Sequence, residues 1–407
     1  MTKIKEDEMP RYTRMVGATV AAAAVMTMSA CGSAIAVQTT GSTTAAARAR
    51  AAAPAAAPYA DVREILQRLT AVDGAPGALA EVSDAHGRTV MTSGAADTGT
   101  RAPMAGGSRF RIGSMTKMFV ATVVLQLVGE HRVALDAPVE RYLPGVIRGN
   151  GNDGRDITVR QLLQHTSGLP DYLSYLTPQQ ILNDPLAHHD PRDLVGIALA
   201  HPSLFAPGTG WKYSNTNYLL AGMLIENVTG HPYGQEIDRR VSRRLGLRDT
   251  SVPGDEPGIS GTHPRGYAKP GSSGLVDVTA FNPSVAGASG AMISSGADLD
   301  RFLGALVNGR LLRPAELRAM MTTRPTGDSS GRAYGLGLQS RPLPCGGLYW
   351  GHDGDIFGFE TMGGVTPSGR AVTVMANLDP GGSDAQDADM RTAVTTALCE
   401  SGSSESR

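Results

Sequence analysis

Three short segments constrain this chain more than its length does: Ser114-Met-Thr-Lys117, Tyr213-Ser-Asn215 and His352-Asp-Gly354. A hydroxyl, an amine and a phenol so far apart can act together only if the fold brings them to one cleft. Ser114 follows Phe110-Arg-Ile-Gly113 and opens the run Met118, Phe119, Val123, Val124, Leu127 and Val128, whose spacing predicts a buried helix. A serine in the first turn of that helix meets free backbone N–H groups and the positive end of the helix dipole. Lys117, three residues on, returns to the same face. Burial among Met118, Phe119 and Val120 would lower its pKa, so that the amine can accept the serine proton. An N-cap serine beside a surface lysine is the competing reading, because S-x-x-K alone recurs by chance.

Tyr213 precedes Tyr218, Leu219, Leu220, Met223 and Leu224, a second helical pattern, and so lies on the loop that enters it. A phenol near pKa 10 is a poor base unless cations lower it; Lys117 and His352, if adjacent, would do so. Asn215 would otherwise cap a helix over 217–228. His352-Asp353-Gly354 follows Leu348-Tyr-Trp350, a strand pattern, and Gly354 lets a substrate approach the backbone. In this order the three segments describe a serine acyl-transfer site in which lysine and tyrosine replace histidine and aspartate.

Arg111-Ile-Gly-Ser-Met-Thr-Lys-Met-Phe119 resembles the nucleophile segment of the serine β-lactamase and penicillin-binding-protein superfamily, on the branch of D-alanyl-D-alanine carboxypeptidases, class C β-lactamases and related esterases. The resemblance runs from about 59 to 400 and includes Ile157-Thr-Val-Arg-Gln-Leu-Leu-Gln-His-Thr-Ser-Gly-Leu-Pro-Asp171, Phe205-Ala-Pro-Gly208 ahead of Tyr213, Ala288-Ser-Gly-Ala-Met292 and Tyr334-Gly-Leu-Gly-Leu338. It implies a β-lactamase/transpeptidase-like α+β fold (an α/β sandwich), with an antiparallel sheet flanked by helices and an inserted all-helical lobe. It further implies Ser114 as nucleophile, Lys117 and Tyr213 as proton carriers, and Asn215 as a bond to the substrate's acyl side chain. His352 would supply a positive or hydrogen-bonding group, and the backbone N–H groups of Ser114 and Asp355 an oxyanion hole. Relatives with carboxylate substrates offer a hydroxyl where Asp353 stands and can carry an arginine cluster where Gln339-Ser340-Arg341 has one arginine. Asp353, Gly354 and Arg341 are thus candidate substrate contacts, and an ester, a blocked peptide or a substrate amine suits Asp353 better than a carboxylate. The expected substrates are small D-Ala-D-Ala-type peptides, cell-wall stems among them, β-lactams or esters, handled by a monomer without metal or organic cofactor. Esterase, D-amino-acid amidase or aminopeptidase, and non-turnover penicillin sensor remain alternatives.

The chain has 407 residues with a formal charge of −1 and no basic run, which argues against a nucleic-acid partner. A basic lead and the apolar stretch Met15 to Met28, shorter than the roughly 20 residues of a membrane span, predict an export signal over 1–36. Two processing readings compete: a lipobox ending at Cys31, which would be lipidated, or cleavage after Ala36. Either puts the protein outside the cytoplasm, freely secreted or membrane-anchored on the outer face. Cys345 and Cys399 are then expected to pair, with two inert thiols as the alternative. Residues 37–58 read as an Ala/Pro/Thr tether, 59–400 as the hydrolase domain and 401–407 as a tail. Within the domain an α/β lobe is expected over about 59–135 and 282–400, and a helical lobe over about 136–281. Gly327-Asp-Ser329-Ser-Gly331 matches a nucleophile-elbow pattern but lacks its flanking strand and helix. His188-His189-Asp190 lacks a distant third ligand for a metal, and His165 reads as a structural hydrogen-bonder.

Overall fold

The computed structural model describes residues 58–270 and 274–400. The export signal, Cys31, all of the tether before residue 58 and the tail lie outside the described residues. One antiparallel sheet of nine strands organises the rest. Its central strands are Leu348–Ile356, Phe359–Val365, Ala371–Ala376, Gly77–Asp84 and Gly87–Asp97, hydrogen-bonded in that order. Gly77–Asp84 pairs with both Ala371–Ala376 and Gly87–Asp97, so the two ends of the chain share one sheet.

Alternation along these strands feeds two cores. Ala78, Ala80, Val82, Val372, Val374 and Ala376 face helices Ala60–Ala71 and Asp384–Cys399. Leu79, Phe359, Val365 and Met375 face the larger core on the other side. A period of two buries both faces, as a sheet covered by helices on each side requires. Val62, Ile65, Leu66 and Leu69 make the buried stripe of the first helix, and the Ser383 side chain caps the last one by accepting the Gln386 N–H.

Helix Thr116–Gly129 is buried almost all round, from Met118 and Phe119 to Leu127. Phe119 stacks on Phe302 of helix Gly296–Val307 with centroids 3.8 Å apart, which fixes the nucleophile helix against the helix lying on the sheet. Between Gly129 and Gly287 the described residues are short helices, turns and two-residue strands, among them helix Thr216–Thr229 behind Tyr213. Ser114 itself sits in the 3-10 turn Gly113–Met115, one turn before the α-helix rather than inside it.

Cys345 and Cys399 form a disulfide across a sequence separation of 54 and tie the last helix to the hairpin that carries His352. Closing a loop of that length constrains the unfolded chain by about 4 kcal/mol. Replacing both cysteines by serine is predicted to lower the unfolding free energy in urea by about 2–4 kcal/mol; an unchanged midpoint and slope would contradict this.

Candidate active site

Ser114 lies where two backbones crowd together. Gly113 has φ +48°, and a Cβ there would stand 2.8 Å from both N and O of Asp355. A Cβ on Gly354 would lie 2.2 Å from the Ile112 carbonyl oxygen. Both positions therefore demand glycine, and the two glycines bring the Ser114 turn alongside strand Leu348–Ile356 at Asp355. The peptides of Ser114 and Asp355 consequently flank one mouth of the cleft.

Lys117 is fully buried. Its Nζ stands 2.9 Å from Ser114 Oγ, 2.8 Å from Asn215 Oδ1 and 2.7 Å from the Ser289 carbonyl oxygen. Burial lowers its pKa from 10.5 to about 7, against the pull of Asp171 and Asp355. The partners also decide how the neutral amine is oriented. The Ser289 carbonyl only accepts, and Asn215 Oδ1 only accepts because its Nδ2 donates to Asp171 Oδ2 at 2.9 Å. Two N–H bonds are spent on these oxygens, and the lone pair is left facing the Ser114 hydroxyl. Asn215 does not cap helix Thr216–Thr229; its side chain orients the base instead.

Tyr213 packs against His165 with centroids 4.3 Å apart and the rings tilted by 34°, and Lys117 Nζ lies 4.9 Å from the centre of the Tyr213 ring. The expectation that neighbouring cations lower its pKa is corrected. Burial, seconded by Tyr334, drives the phenol well above 10, although the Ser114 hydroxyl pulls the other way. That hydroxyl is close enough to act on the phenol yet falls short of a full hydrogen bond, and Tyr213 Oη is buried without a partner. Tyr213 is thus a proton donor facing the cleft, not a phenolate.

Of the two roles expected of His352, positive or hydrogen-bonding, the positive one is corrected. Burial, with Lys117 nearby, lowers its pKa to about 3, so it is neutral. A directed chain of hydrogen bonds fixes its tautomer. His165 Nδ1 accepts from the Ser214 backbone N–H at 3.3 Å and from Asn217 Nδ2 at 3.1 Å, so its proton sits on Nε2. Nε2–H donates to Tyr334 Oη at 3.1 Å, and the Tyr334 hydroxyl donates to His352 Nε2 at 2.9 Å. His352 Nδ1–H then donates to the Asp353 carbonyl. His165, a non-glycine residue at φ 59°, is the structural hydrogen-bonder expected of it, whereas Tyr334 was visible only as part of a longer motif.

Asp353 and Arg341 do not face a substrate as free charges. Arg341 Nη2 donates to Asp353 Oδ2 at 2.6 Å, and Arg391, on the last helix, stands 3.5 Å from the same oxygen. Burial raises the Asp353 carboxyl, but the two arginines outweigh it and hold it below the usual range. Asp355 is different. It lines a cleft of about 300 Å³ together with Ser114, Tyr213, Phe281, Phe357 and Asp379. Of the other candidates, His188 pairs with Asp255 at the surface, and no metal-binding cluster occurs among the described residues. The 327–331 segment lies between strands Arg324–Pro325 and Ala333–Tyr334, with no helix after it.

A family model described as Beta-lactamase matches residues 62–397. The chain belongs to that family. A D-stereospecific amidohydrolase from Streptomyces sp. is 40% identical, superposes with a TM-score of 0.78, and aligns over 85% of this chain and 100% of its own. The D-amino acid amidase of Ochrobactrum anthropi SV3 is 30% identical, with a TM-score of 0.70 over 83% and 96% of the two chains. Esterase EstB of Burkholderia gladioli is 38% identical over 193 residues, which are 44% of this chain and 48% of the esterase. The chain thus spans about half the length of that curated relative. A β-lactamase/transpeptidase-like hydrolase fold follows.

Tyr334→Phe keeps the ring and removes the link between the two imidazoles. It is predicted to cost about 1–3 kcal/mol of stability and to shift the imidazole nitrogen resonances of both His165 and His352 in 15N NMR. Unchanged resonances would contradict the directed chain.

Proposed function

We propose that this protein is a serine hydrolase that acylates Ser114 and hydrolyses amides or esters whose acyl part is apolar and lacks a carboxylate. The observation that carries the reading is the Lys117 amine, with both N–H bonds spent and its lone pair directed at Ser114 Oγ. The serine oxygen attacks the substrate carbonyl carbon as its proton passes to Lys117 Nζ. Charge then builds on the carbonyl oxygen, which rests between the backbone N–H groups of Ser114 and Asp355; a donor of this kind is worth about 2.7–4 kcal/mol. As the intermediate collapses, Tyr213 protonates the leaving group, and Lys117 reprotonates Tyr213. Water repeats the sequence in reverse to free Ser114.

Substrate choice follows from the lining. Tyr172, Leu173, Leu176, Ile181, Phe281 and Phe357 offer an apolar wall, while the one arginine expected to clamp a carboxylate is bound to Asp353. Both features disfavour the D-Ala-D-Ala free acid and the β-lactam carboxylate. The amidohydrolase, amidase and esterase relatives support amide and ester substrates, D-configured ones among them. The Cys345–Cys399 disulfide supports an oxidising compartment, in keeping with the expected export.

A fluorescent phosphonate is predicted to label the protein and to leave Ser114→Ala unlabelled. A p-nitrophenyl ester and D-phenylalanine amide are predicted to exceed acyl-D-Ala-D-Ala in kcat/KM by at least about tenfold. Labelling of the alanine variant, or preference for the free acid, would refute the reading.

A further inference from the structure

The cleft holds a charge imbalance that amide or ester hydrolysis alone does not explain. Its lining includes two carboxylates, Asp355 and Asp379, and no arginine, lysine or histidine. Lys117 lies beneath Ser114 with its hydrogens committed. Arg341 and Arg391, close to the same strand, are taken by Asp353, and Arg111 lies behind Phe281, bonded to backbone carbonyls. Among the described residues the Asp355 carboxylate has neither a hydrogen bond nor an ion pair, although it stands two positions from an aspartate paired with Arg341.

Its backbone is held tightly. Asp355 pairs with Glu360 across the hairpin and packs on Gly113, so the side chain projects from a rigid strand rather than a loose loop. The unpartnered Tyr213 hydroxyl faces the same cleft. A substrate carbonyl resting at the Asp355 N–H has its α-substituent two bonds from the carbonyl carbon, within reach of the same residue's carboxylate.

We propose that the Asp355 carboxylate docks a substrate ammonium group, so that the preferred substrates are esters and amides of apolar α-amino acids with a free amine. This rests on Ser114 being the nucleophile and adds the charge that the substrate must carry. It also moves the expected role of substrate-amine partner from Asp353, whose charge is already matched, to Asp355.

The surroundings give the proposal a pH signature. Asp355 is exposed at the cleft mouth, yet the protein crowding round it displaces enough water to hold its carboxyl up to about 6; Asp353 on its own strand and Asp387 on the last helix add to this, and Lys117 and Arg391 oppose it. Glu360 and Asp379, the other acids close by, are raised as well. A bound cation relieves this repulsion. Preference for the ammonium substrate is therefore present above about pH 6 and lost as the carboxyl takes a proton below it. It falls again as the substrate amine, with a reference value of about 7.7–8.0, deprotonates.

The test compares D-phenylalanine ethyl ester with its N-acetyl derivative and reads the ratio of kcat/KM, in which the titration of Lys117 cancels. Wild type is expected to favour the free amine by at least about tenfold at pH 7. Asp355→Asn is expected to bring that ratio close to one, whatever its absolute rate. Asp355→Arg is expected to favour the N-succinyl ester. If neither aspartate variant folds, the wild-type ratio across pH 5 to 9 decides. A ratio that ignores Asp355→Asn, or a flat wild-type profile, overturns the proposal while phosphonate labelling of Ser114 leaves the hydrolase reading standing. Absence of labelling and of turnover with both esters overturns the two together.

Discussion

The active-site geometry of this protein depends on keeping one amine dry. Lys117 is sealed by the apolar helix Thr116–Gly129 and by Tyr213, and desolvation brings its pKa down to about 7. Burial alone would make it neutral without giving it a direction. The direction comes from Asn215 and the Ser289 carbonyl, which take both N–H bonds. Asp171 locks the Asn215 amide in turn, and the Pro170 carbonyl accepts hydrogen bonds from the Ser214 and Thr216 hydroxyls. Three segments distant in sequence are thereby spent on aiming a single lone pair.

A second set of constraints holds the opposite wall. The sequence His165, Tyr334, His352 runs behind Tyr213 as one directed hydrogen-bond chain, with both imidazoles neutral. A charged His352 beside Lys117 would make protonation of the amine costlier still and would repel the cationic substrate proposed for the cleft. Keeping it neutral leaves the carboxylates to set the field. Gly113 and Gly354 do the rest by letting strand and turn approach to a distance that any side chain would forbid.

Much of this was legible in the sequence. Periodicity located the helix behind Ser114, the helix behind Tyr213 and the strand leading to His352, and the spacing of Ser114 and Lys117 put both on one face. The Cys345–Cys399 pair was expected from the predicted export, with Cys31 set aside in the signal. Signs of charge were not legible. Asp353 read as a free anion because Arg391, one of its two partners, arrives from a helix far along the chain. His352 and Tyr213 were assigned charge behaviour from residue type, whereas burial decides it. Ser114 was expected inside a helix, and the positive φ of Gly113 turns it into the preceding 3-10 turn. In each case local pattern placed the residue and tertiary packing set its electrostatics.

The account stands or falls on the ionisation of one side chain. The chain has five lysines: Lys3, Lys5, Lys117, Lys212 and Lys269. Titration of 15N-lysine-labelled protein, read at the Nζ resonances, separates them. One resonance titrating at about 7 and absent from Lys117→Met is the predicted result. A Lys117 resonance titrating instead near the reference value of about 10.4 would mean that Lys117 is a cation at neutral pH, with no lone pair to offer Ser114.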